Sequence, residues 1–321
     1  MNVLVTGASG FLGSQLCFAL QIKQHIHPTA CVRAGKSAIC DSVVEIASIS
    51  SETDWGEVLK GQDVVIHAAA RAHIMRDEVL DPLTEYRKVN VDGTLSMARQ
   101  ASRVGVKRFV FVSSVKVNGE GTHRGLPFKS EDSPAPEDAY GLSKCEAEAG
   151  LLKLAAETGM EVVIIRPPLV YGPGVKANFA SMVSWVRKGV PLPFGMVNNK
   201  RSLIASDNLV DFILLCADSS KSPKAANQVF LVSDGEDVSL AILLRKVAKA
   251  YGARARLFPV PVSFMRLAAK LLGRSDMADR LLGDLQVDSS KARDLLGWRP
   301  VITMDEQLKK MATFDNNAGK Q

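Results

Sequence analysis

Hydrophobic and polar positions in the first half of the chain follow two alternating patterns. Short β-branched and aromatic runs predict strands at residues 2–6, 29–33, 43–46, 63–67, 107–112 and 161–165. Between these runs, apolar residues recur every three or four positions, which is typical of helices that bury one face. Strands and helices that alternate in this way form βαβ units, so the expected fold class is α/β with a doubly wound parallel sheet.

The second half of the chain has a different pattern of hydrophobic and polar residues, which indicates a second lobe. Two breaks in regular structure, Arg166-Pro167-Pro168 and Gly172-Pro173-Gly174, follow the last predicted strand. Beyond them helical patterns dominate, at about residues 178–188, 207–217, 239–251, 262–273 and 302–314. We expect a sheet domain of residues 1–170 and 201–234 and a smaller, mainly helical lobe of residues 171–200 and 235–321.

Two helical segments carry further signals. Asp81-Pro82 predicts the start of a long helix that continues through Arg103, because aspartate caps a helix and proline fits its first turn. Residues 263–273 are apolar, with Arg266 and Lys270 four positions apart. Packing inside the smaller lobe is the expected role of this segment, and a membrane-surface helix is the alternative.

The composition is that of an ordinary folded protein, with 46% hydrophobic and 23% charged residues. A net charge of +6 suits an anionic partner, but the scattered lysines and arginines favour a phosphorylated small molecule over nucleic acid. Five cysteines without a C-x-x-C pair indicate free thiols in a reducing compartment. Because no signal-peptide pattern and no apolar run of roughly 18 residues is found, we expect a cytoplasmic protein without a membrane span.

A glycine-rich turn follows the first predicted strand directly. The segment Thr6-Gly7-Ala8-Ser9-Gly10-Phe11-Leu12-Gly13 opens a helical pattern, which is the context that a dinucleotide-binding fingerprint requires. Gly7 permits the tight turn, Gly10 lets the backbone approach a pyrophosphate, and Gly13 lets helix and strand pack closely. The segment predicts a Rossmann-type NAD(P) site, and a merely structural glycine turn is the alternative.

The end of the second predicted strand bears on which dinucleotide binds. NAD sites usually place an Asp or Glu there to accept from the ribose 2′-hydroxyl. This strand ends instead in Arg33, followed by Lys36 and Ser37, which are donors suited to a 2′-phosphate. We therefore expect NADP(H) to be favoured over NAD(H). The alternative is that Arg33 points to solvent or lies over the adenine and does not select the cofactor.

Three polar residues predict catalytic chemistry. Tyr140 and Lys144 are four residues apart and therefore share one face of a helix. The buried-strand run Phe109-Val110-Phe111-Val112 ends in Ser113-Ser114, at the carboxyl edge of the sheet where ligands of α/β folds bind. The spacing of Tyr140 and Lys144 is weak evidence by itself, because a Tyr-x-x-x-Lys sequence often occurs by chance. The serines at the strand end strengthen it, since the glycine turn is expected at the same edge of the sheet.

With these motifs in this order, the chain resembles the extended short-chain dehydrogenase/reductase family that modifies nucleotide sugars, along nearly its whole length. The segments that carry the resemblance are Gly7, Gly10 and Gly13, His67-Ala68-Ala69-Ala70, Asn90-Val91-Asp92-Gly93-Thr94, Ser113-Ser114, Tyr140 with Lys144, and Arg166-Pro167-Pro168-Leu169-Val170-Tyr171-Gly172-Pro173-Gly174.

The resemblance implies a catalytic role for three of these residues. Tyr140 would act as acid and base on a sugar oxygen, and Ser114 would hydrogen-bond the same oxygen. The charge of Lys144 would lower the pKa of Tyr140, which is ordinarily near ~10. Asn90 would steady the catalytic helix or a water, with helix capping as the alternative. The implied cofactor contacts are Gly7, Ser9, Gly10, Phe11, Leu12, Gly13, Arg33, Lys36, Ala68, Ala69, Asn90, Tyr140, Lys144 and Pro167.

The two residues after the active-site serine narrow the reaction. Family members that dehydrate a nucleotide hexose carry Asp-Glu there, whereas this chain has Val115-Lys116. Because no carboxylate is available to take the C5 proton, we do not expect a dehydratase. The resemblance and Arg33 favour reduction of a UDP-4-keto-6-deoxy-N-acetylhexosamine for polysaccharide biosynthesis. Epimerisation of UDP-glucose or UDP-N-acetylglucosamine at C4 is the alternative.

The smaller lobe is expected to bind the UDP group. The resemblance assigns Asn178, Arg201 and Arg280 to the substrate, and arginine suits this task because its fork pairs two phosphate oxygens. No metal is implied, since His67 and His73 have no carboxylate or cysteine at ligand spacing. A homodimer through the helices near residues 82–103 and 140–158 is an expectation from the family alone.

Two other kinds of protein remain as rivals. A non-catalytic NADP-binding sensor would keep the fold, but such proteins lose the catalytic tyrosine or lysine, and this chain retains both Tyr140 and Lys144. A reductase for an apolar steroid or flavonoid substrate would lack the diphosphate-binding arginines.

Overall fold

A parallel sheet organises the larger part of the chain, of which this computed structural model describes residues 1–71 and 81–318. The sheet has seven strands in the order β3-β2-β1-β4-β5-β6-β9, and each neighbouring pair is parallel. This order confirms the predicted α/β doubly wound class. The strands are β1 Asn2–Thr6, β2 His27–Arg33, β3 Ser42–Ile46, β4 Val64–His67, β5 Arg108–Val112, β6 Glu161–Arg166 and β9 Gln228–Leu231.

Helices cover the sheet and form the smaller lobe. They are α1 Phe11–Gln21, α2 Gly56–Leu59, α3 Pro82–Arg87, α4 Thr94–Arg103, α5 Ala139–Thr158, α6 Ala177–Arg187, α7 Ser206–Ala217, α8 Leu240–Ala250, α9 Val262–Leu271, α10 Ser275–Leu282, α11 Ser290–Leu296 and α12 Met304–Ala318. Two short strands, β7 Leu169–Tyr171 and β8 Leu203–Ala205, form a separate parallel pair. Of these elements, the sequence pattern did not predict β7, β8, β9, α2, α10 and α11, because they are short and depend on tertiary partners.

The predicted long helix from Asp81 to Arg103 is not one regular α-helix. Asp81 caps its start as expected, because its carboxylate accepts a hydrogen bond from the Thr84 amide at 3.2 Å. Residues Lys88–Gly93 between α3 and α4 are π-helical. A π-helical turn inside an α-helix is frequent at functional sites, and this one carries Asn90.

Apolar residues of the sheet divide between its two faces. Val3 and Val5 point to one helical layer, whereas Leu4 between them points to the other. A third core lies in the smaller lobe, where Tyr171, Phe179 and Leu244 are buried together. The site therefore forms where the carboxyl ends of the sheet strands meet this second lobe.

Helix α9 departs from its expected packing inside the smaller lobe. None of its residues is buried, and only its Val262 and Met265 are partly buried against the lobe core. Among the residues described, no helix has the combination of length and hydropathy that crossing a membrane requires.

Candidate active site

The glycine turn between β1 and α1 is built so that side chains would not fit. Gly7 has a φ of 70°, and a Cβ on it would lie 2.8 Å from the Ala69 amide nitrogen. A Cβ on Gly13 would lie 2.1 Å from the Gly7 carbonyl oxygen. The turn therefore needs glycine for its backbone conformation and for contact with the segment after β4, which brings Ala68 and Ala69 beside Gly7.

The start of α1 suits an anionic ligand. Gly10 caps the helix without a side-chain hydrogen bond, and the first turn contains no acidic residue. The helix begins with amide groups that no side chain satisfies and with the positive end of its dipole. Ser9 and Gly10 are exposed there, whereas Phe11 and Leu12 are half-buried. These features fit a dinucleotide pyrophosphate, because the backbone is exposed where the phosphates of such a ligand bind.

Arg33 and Lys36 lie at the end of β2, and both are exposed. The Lys36 amide donates to the Arg33 carbonyl at 2.9 Å, which closes a tight turn after the strand. The β2 strand is adjacent to β1, so this turn lies beside the glycine turn. Arg33 thus lies where its side chain could reach a ribose substituent. It places a cation, rather than a carboxylate, at the end of β2.

Helix α5, which carries Tyr140 and Lys144, begins directly on the turn that contains Ser114. The Asp138 side chain caps α5 by accepting from the Gly141 amide at 2.7 Å. A Cβ on Gly141 would lie 2.8 Å from the Lys116 carbonyl oxygen, so the helix and the turn pack backbone to backbone. This close approach brings Tyr140 and Ser114 to the same edge of the sheet, as the sequence analysis expected.

Lys144 is one helical turn beyond Tyr140 and is only 2% exposed. Its Nζ atom donates to the Val112 carbonyl at 2.8 Å and lies 4.3 Å from the centre of the Phe111 ring. Burial lowers the pKa of Lys144 to about 7, while the carboxylate of Glu148 acts in the opposite direction. The ammonium is therefore held at the end of β5. Because its pKa is lowered toward neutral, its charged form is less favoured there than in water.

Tyr140 has an environment that keeps its phenol protonated. Burial raises its pKa above the usual value, and Asp138 and Tyr86 contribute in the same direction. The ring of Tyr86 lies 6.0 Å from that of Tyr140 in an edge-to-face arrangement. The expected lowering of the Tyr140 pKa by Lys144 is therefore not a feature of the protein alone.

Asn90 connects the π-helical turn to the catalytic helix. Its Nδ2 atom donates to the Ser143 hydroxyl at 3.0 Å and to the Arg71 carbonyl at 3.1 Å. Its Oδ1 atom accepts from the Arg71 amide at 2.9 Å. The side chain is 2% exposed, so this amide fixes α5 against the segment that follows β4.

A buried ion pair behind Lys144 was not found by the sequence analysis. Arg166, at the end of β6, donates to Glu148 through Nη2 at 2.5 Å, and both side chains are about 5% exposed or less. Glu148 also accepts from Ser113, and Arg166 donates to Asn118 at 3.0 Å. The only sequence signal for this ion pair was the position of Glu148 four residues after Lys144.

Pro167, another predicted cofactor contact, follows Arg166. Its carbonyl accepts from the Val115 amide at 3.0 Å, beside Ser114.

Lys116 organises the residues around the catalytic turn. Its Nζ atom pairs with Asp138, the cap of α5, and with Glu120 at 2.8 Å. The second oxygen of Glu120 accepts from Arg280 Nε of α10 at 2.7 Å. Lys116 therefore stands where a dehydratase base would be, and it joins the catalytic helix to the smaller lobe.

The three predicted substrate residues have different environments. Arg280 is half-exposed and paired with Glu120. The Nη1 atom of Arg201 donates to the carbonyls of Arg280 at 2.7 Å and Gly283 at 3.2 Å, and burial lowers the pKa of Arg201. Asn178 is exposed near the start of α6 and has no side-chain hydrogen bond to either arginine. The structure thus brings Arg201 and Arg280 together, and does not join Asn178 to them.

His67 ends β4 and is 1% exposed. Its Nδ1 atom lies 2.8 Å from the Thr6 hydroxyl, and its Nε2 atom lies 3.0 Å from that of Thr94. Burial, with a contribution from Lys144, lowers the pKa of His67 to about 3. In the described ranges no three His, Cys, Asp or Glu side chains converge as a metal site, and His73 lies outside those ranges.

Comparison with known proteins identifies relatives along the whole chain. The NAD dependent epimerase/dehydratase family matches residues 3–231. A UDP-glucose 4-epimerase of Vibrio cholerae is 52% identical over 312 residues, which are 97% of this chain and 94% of that protein.

Solved structures show the same fold at lower sequence identity. A UDP-glucuronic acid 4-epimerase from Bacillus cereus, in complex with NAD, superimposes with a TM-score of 0.77 at 21% identity, covering 98% of this chain and 96% of that one. A UDP-glucose 4-epimerase from Thermotoga maritima, with UDP-glucose, gives a TM-score of 0.76 at 23% identity, with 99% of each chain covered.

Proposed function

The chain belongs to the NAD dependent epimerase/dehydratase family of enzymes, and on that premise we propose that it is a UDP-sugar 4-epimerase with UDP-glucose as substrate. The observation that carries the proposal is the placement of Tyr140 and Lys144 against the Ser114 turn, at the sheet edge that holds the glycine turn. The Vibrio cholerae relative, itself a UDP-glucose 4-epimerase, supports the choice of reaction and sugar.

Three side chains would perform the acid–base chemistry at C4 of the sugar. When bound, NAD supplies a hydride acceptor that can return the hydride. Tyr140 would take the proton of the C4 hydroxyl and give it back, while Ser114 hydrogen-bonds the same oxygen. The Lys144 ammonium, together with the positive charge of oxidised nicotinamide, would favour the phenolate form of Tyr140. Because hydride and proton both return to the sugar, the reaction is redox-neutral and only the C4 configuration changes.

Lys116 argues against dehydration within this family. A dehydratase needs a base for the C5 proton just after the active-site serine. Here the corresponding ammonium is held by Asp138 and Glu120, so it presents no acceptor to the sugar ring.

The identity of the dinucleotide is a finer proposal, for which we favour NAD(H). An epimerase regenerates its cofactor in every turnover and needs no reduced pool. The preference for NADP(H) that Arg33 and Lys36 suggested has no support among these relatives. NADP(H) would be the cofactor of the second candidate function.

The second candidate is an NADPH-dependent reductase of a UDP-4-keto-6-deoxy-N-acetylhexosamine. One observation favours it, namely that β2 ends in the exposed Arg33 without a carboxylate for a ribose 2′-hydroxyl. The two candidates share Ser114, Tyr140 and Lys144, and they differ in whether the cofactor stays bound or is exchanged.

UDP recognition is assigned by this proposal to the smaller lobe. Arg280 would exchange its Glu120 partner for a diphosphate oxygen, since its guanidinium is half-exposed. Arg201 would support it by holding the end of α10 through backbone carbonyls. Asn178 is a weaker candidate, and the homodimer through α4 and α5 remains a prediction.

The test begins with the purified protein and no added cofactor. We expect denaturation to release NAD(H), and the native protein to convert UDP-glucose to UDP-galactose. We expect Tyr140→Phe to lower kcat by about a hundred- to ten-thousandfold, because it removes the proton-transfer group. Release of no dinucleotide, together with oxidation of added NADPH by a UDP-4-keto sugar, would instead establish the reductase.

A matched control is provided by Tyr251→Phe. This hydroxyl donates to Asp315 in the smaller lobe at 2.7 Å and takes no part in the proposed chemistry. We expect Tyr251→Phe to retain the kcat of the wild type. Full turnover by Tyr140→Phe would contradict a catalytic role for this tyrosine, whereas absence of turnover by the wild type would favour the sensor.

A further inference from the structure

Helix α9 exposes large apolar side chains that no other part of the described chain covers. The exposed fractions are 68% for Phe264, 54% for Leu267, 80% for Leu271 and 73% for Leu272. A surface helix of a globular protein normally turns its apolar face inward. Here the apolar residues are on the solvent side.

The helix has two apolar faces, of which the fold uses only one. Val262 and Met265 are partly buried against the core of the smaller lobe. Phe264, Leu267 and Leu271 follow the i, i+3, i+7 spacing and form a separate stripe on the outer side. Packing within the lobe therefore does not explain why the stripe is apolar.

The charged residues of the segment that carries the stripe are all cationic. The segment of residues 262–274 contains Arg266, Lys270 and Arg274 and has no aspartate or glutamate. Arg266 lies 3.7 Å from Asp279 of α10, and Lys270 follows on the border of the stripe. Long cationic side chains beside an apolar stripe can extend toward anionic groups while the stripe is buried in a nonpolar medium.

We propose that α9 docks in the interfacial plane of a lipid bilayer that carries anionic headgroups. A second copy of the chain fits this surface less well, because a twofold contact would place the three cations of one stripe opposite those of the other. An anionic membrane satisfies the cations and buries Phe264, Leu267 and Leu271 together. With ten residues α9 is about half the length that a bilayer span requires, so it lies along the surface.

The proposal does not rest on the sugar chemistry, since none of these residues belongs to the active site. It does have a geometric consequence for that site. Helix α10 follows α9 directly and carries Arg280, which pairs with Glu120 beside the catalytic turn. Docking through α9 would therefore place the side of the molecule that holds this ion pair near the membrane.

The test is flotation of the purified full-length protein with vesicles. One set contains phosphatidylcholine alone, and the other contains phosphatidylcholine with phosphatidylglycerol. We expect binding to the second set that weakens with salt, and its loss in the double variant Phe264→Ser/Leu271→Ser. Lys270→Gln should weaken binding about fivefold, which corresponds to one cation near an anionic surface.

The matched control is Phe18→Ser/Ile22→Ser, in α1 and at its C-cap, which removes two apolar side chains that are 61% and 70% exposed. We expect it to bind vesicles as the wild type does and to show that loss is specific to α9. Circular dichroism and epimerase activity without lipid establish that each variant is folded. Absence of wild-type binding to anionic vesicles, or equal binding by all variants, overturns the proposal. A self-association that only the α9 variant abolishes also overturns it, in favour of a copy-to-copy interface.

Discussion

His67 shows how a single buried residue contributes to the pH dependence of stability. It is enclosed between the hydroxyls of Thr6 and Thr94, and burial lowers its pKa to about 3. In the unfolded chain a histidine titrates near ~6.5, so unfolded molecules take up a proton at a pH where folded ones do not. His67 therefore favours the folded state fully above about pH 6.5, and this contribution is lost as the pH falls toward 3.

The expected loss can be measured by urea unfolding. Between about pH 7 and about pH 5 the wild type should lose about 2 kcal/mol more unfolding free energy than His67→Gln. The control is His27→Gln, which replaces an exposed histidine and should follow the wild type. Equal losses in the wild type and His67→Gln would show that His67 is not the group responsible.

At the scale of one element, the start of α5 couples helix stability to catalysis. Asp138 caps the helix and pairs with Lys116, and Tyr140 is two residues further on. The same carboxylate thus caps the start of the helix and, through Lys116, fixes the turn that contains Ser114. Glu148, in the middle of α5, pairs with Arg166 and so fixes the helix against β6.

We expect Asp138→Ala to lower the unfolding free energy by about 1 kcal/mol through loss of the cap. It should also lower kcat by about ten- to a hundredfold, because the position of Tyr140 relative to Ser114 becomes less defined. Asp138→Asn should restore most of the stability, since asparagine also caps helices, but less of the activity, since the charge that pairs with Lys116 is gone.

Ser239→Ala provides the matched control for this element. Ser239 caps α8 in the smaller lobe by accepting from the Ile242 amide at 3.2 Å. We expect a similar loss of stability and an unchanged kcat. If both alanine variants reduce kcat equally, the effect of Asp138 is one of stability alone.

At the scale of the whole molecule, one region would bind the dinucleotide and carry out the chemistry, and a second would bind the UDP group. The sheet edge holds the glycine turn, Ser114, Tyr140 and Lys144, whereas the smaller lobe contributes Arg280, whose carbonyl accepts from Arg201. The ion pair between Glu120 and Arg280 connects these regions beside the catalytic turn. Changes in the lobe should therefore alter substrate affinity without altering the bound dinucleotide.

Arg280→Gln tests this division. We expect KM for UDP-glucose to rise about ten- to a hundredfold, because hydrogen bonds from a cation to phosphate are lost, while kcat and dinucleotide content stay unchanged. Glu120→Gln should not raise KM, since it frees Arg280 from its competing partner while Lys116 keeps its pairing with Asp138. The control is Arg293→Gln, an exposed arginine paired with Asp294. An unchanged KM in Arg280→Gln would contradict the assignment of this arginine to the diphosphate.

The sequence by itself determined the features whose physical causes are local. A glycine turn before a helix, the Asp81 cap, the shared face of Tyr140 and Lys144, and the β-branched runs each depend on residues within a few positions of one another. For this reason the α/β class and the sheet strands before β9 could be predicted without a structure, and the candidate catalytic residues could be named, although their roles stay predictions.

Only the tertiary structure decided which partner each polar side chain uses. Lys116 contacts Asp138 across 22 residues, and Arg201 donates to the Arg280 carbonyl across 79. Local spacing cannot encode such choices, because they depend on how helices and strands are brought together. The same holds for the short strands β7 and β8, and for α9, whose sequence pattern fitted either a buried or a surface helix until the fold left its outer face uncovered.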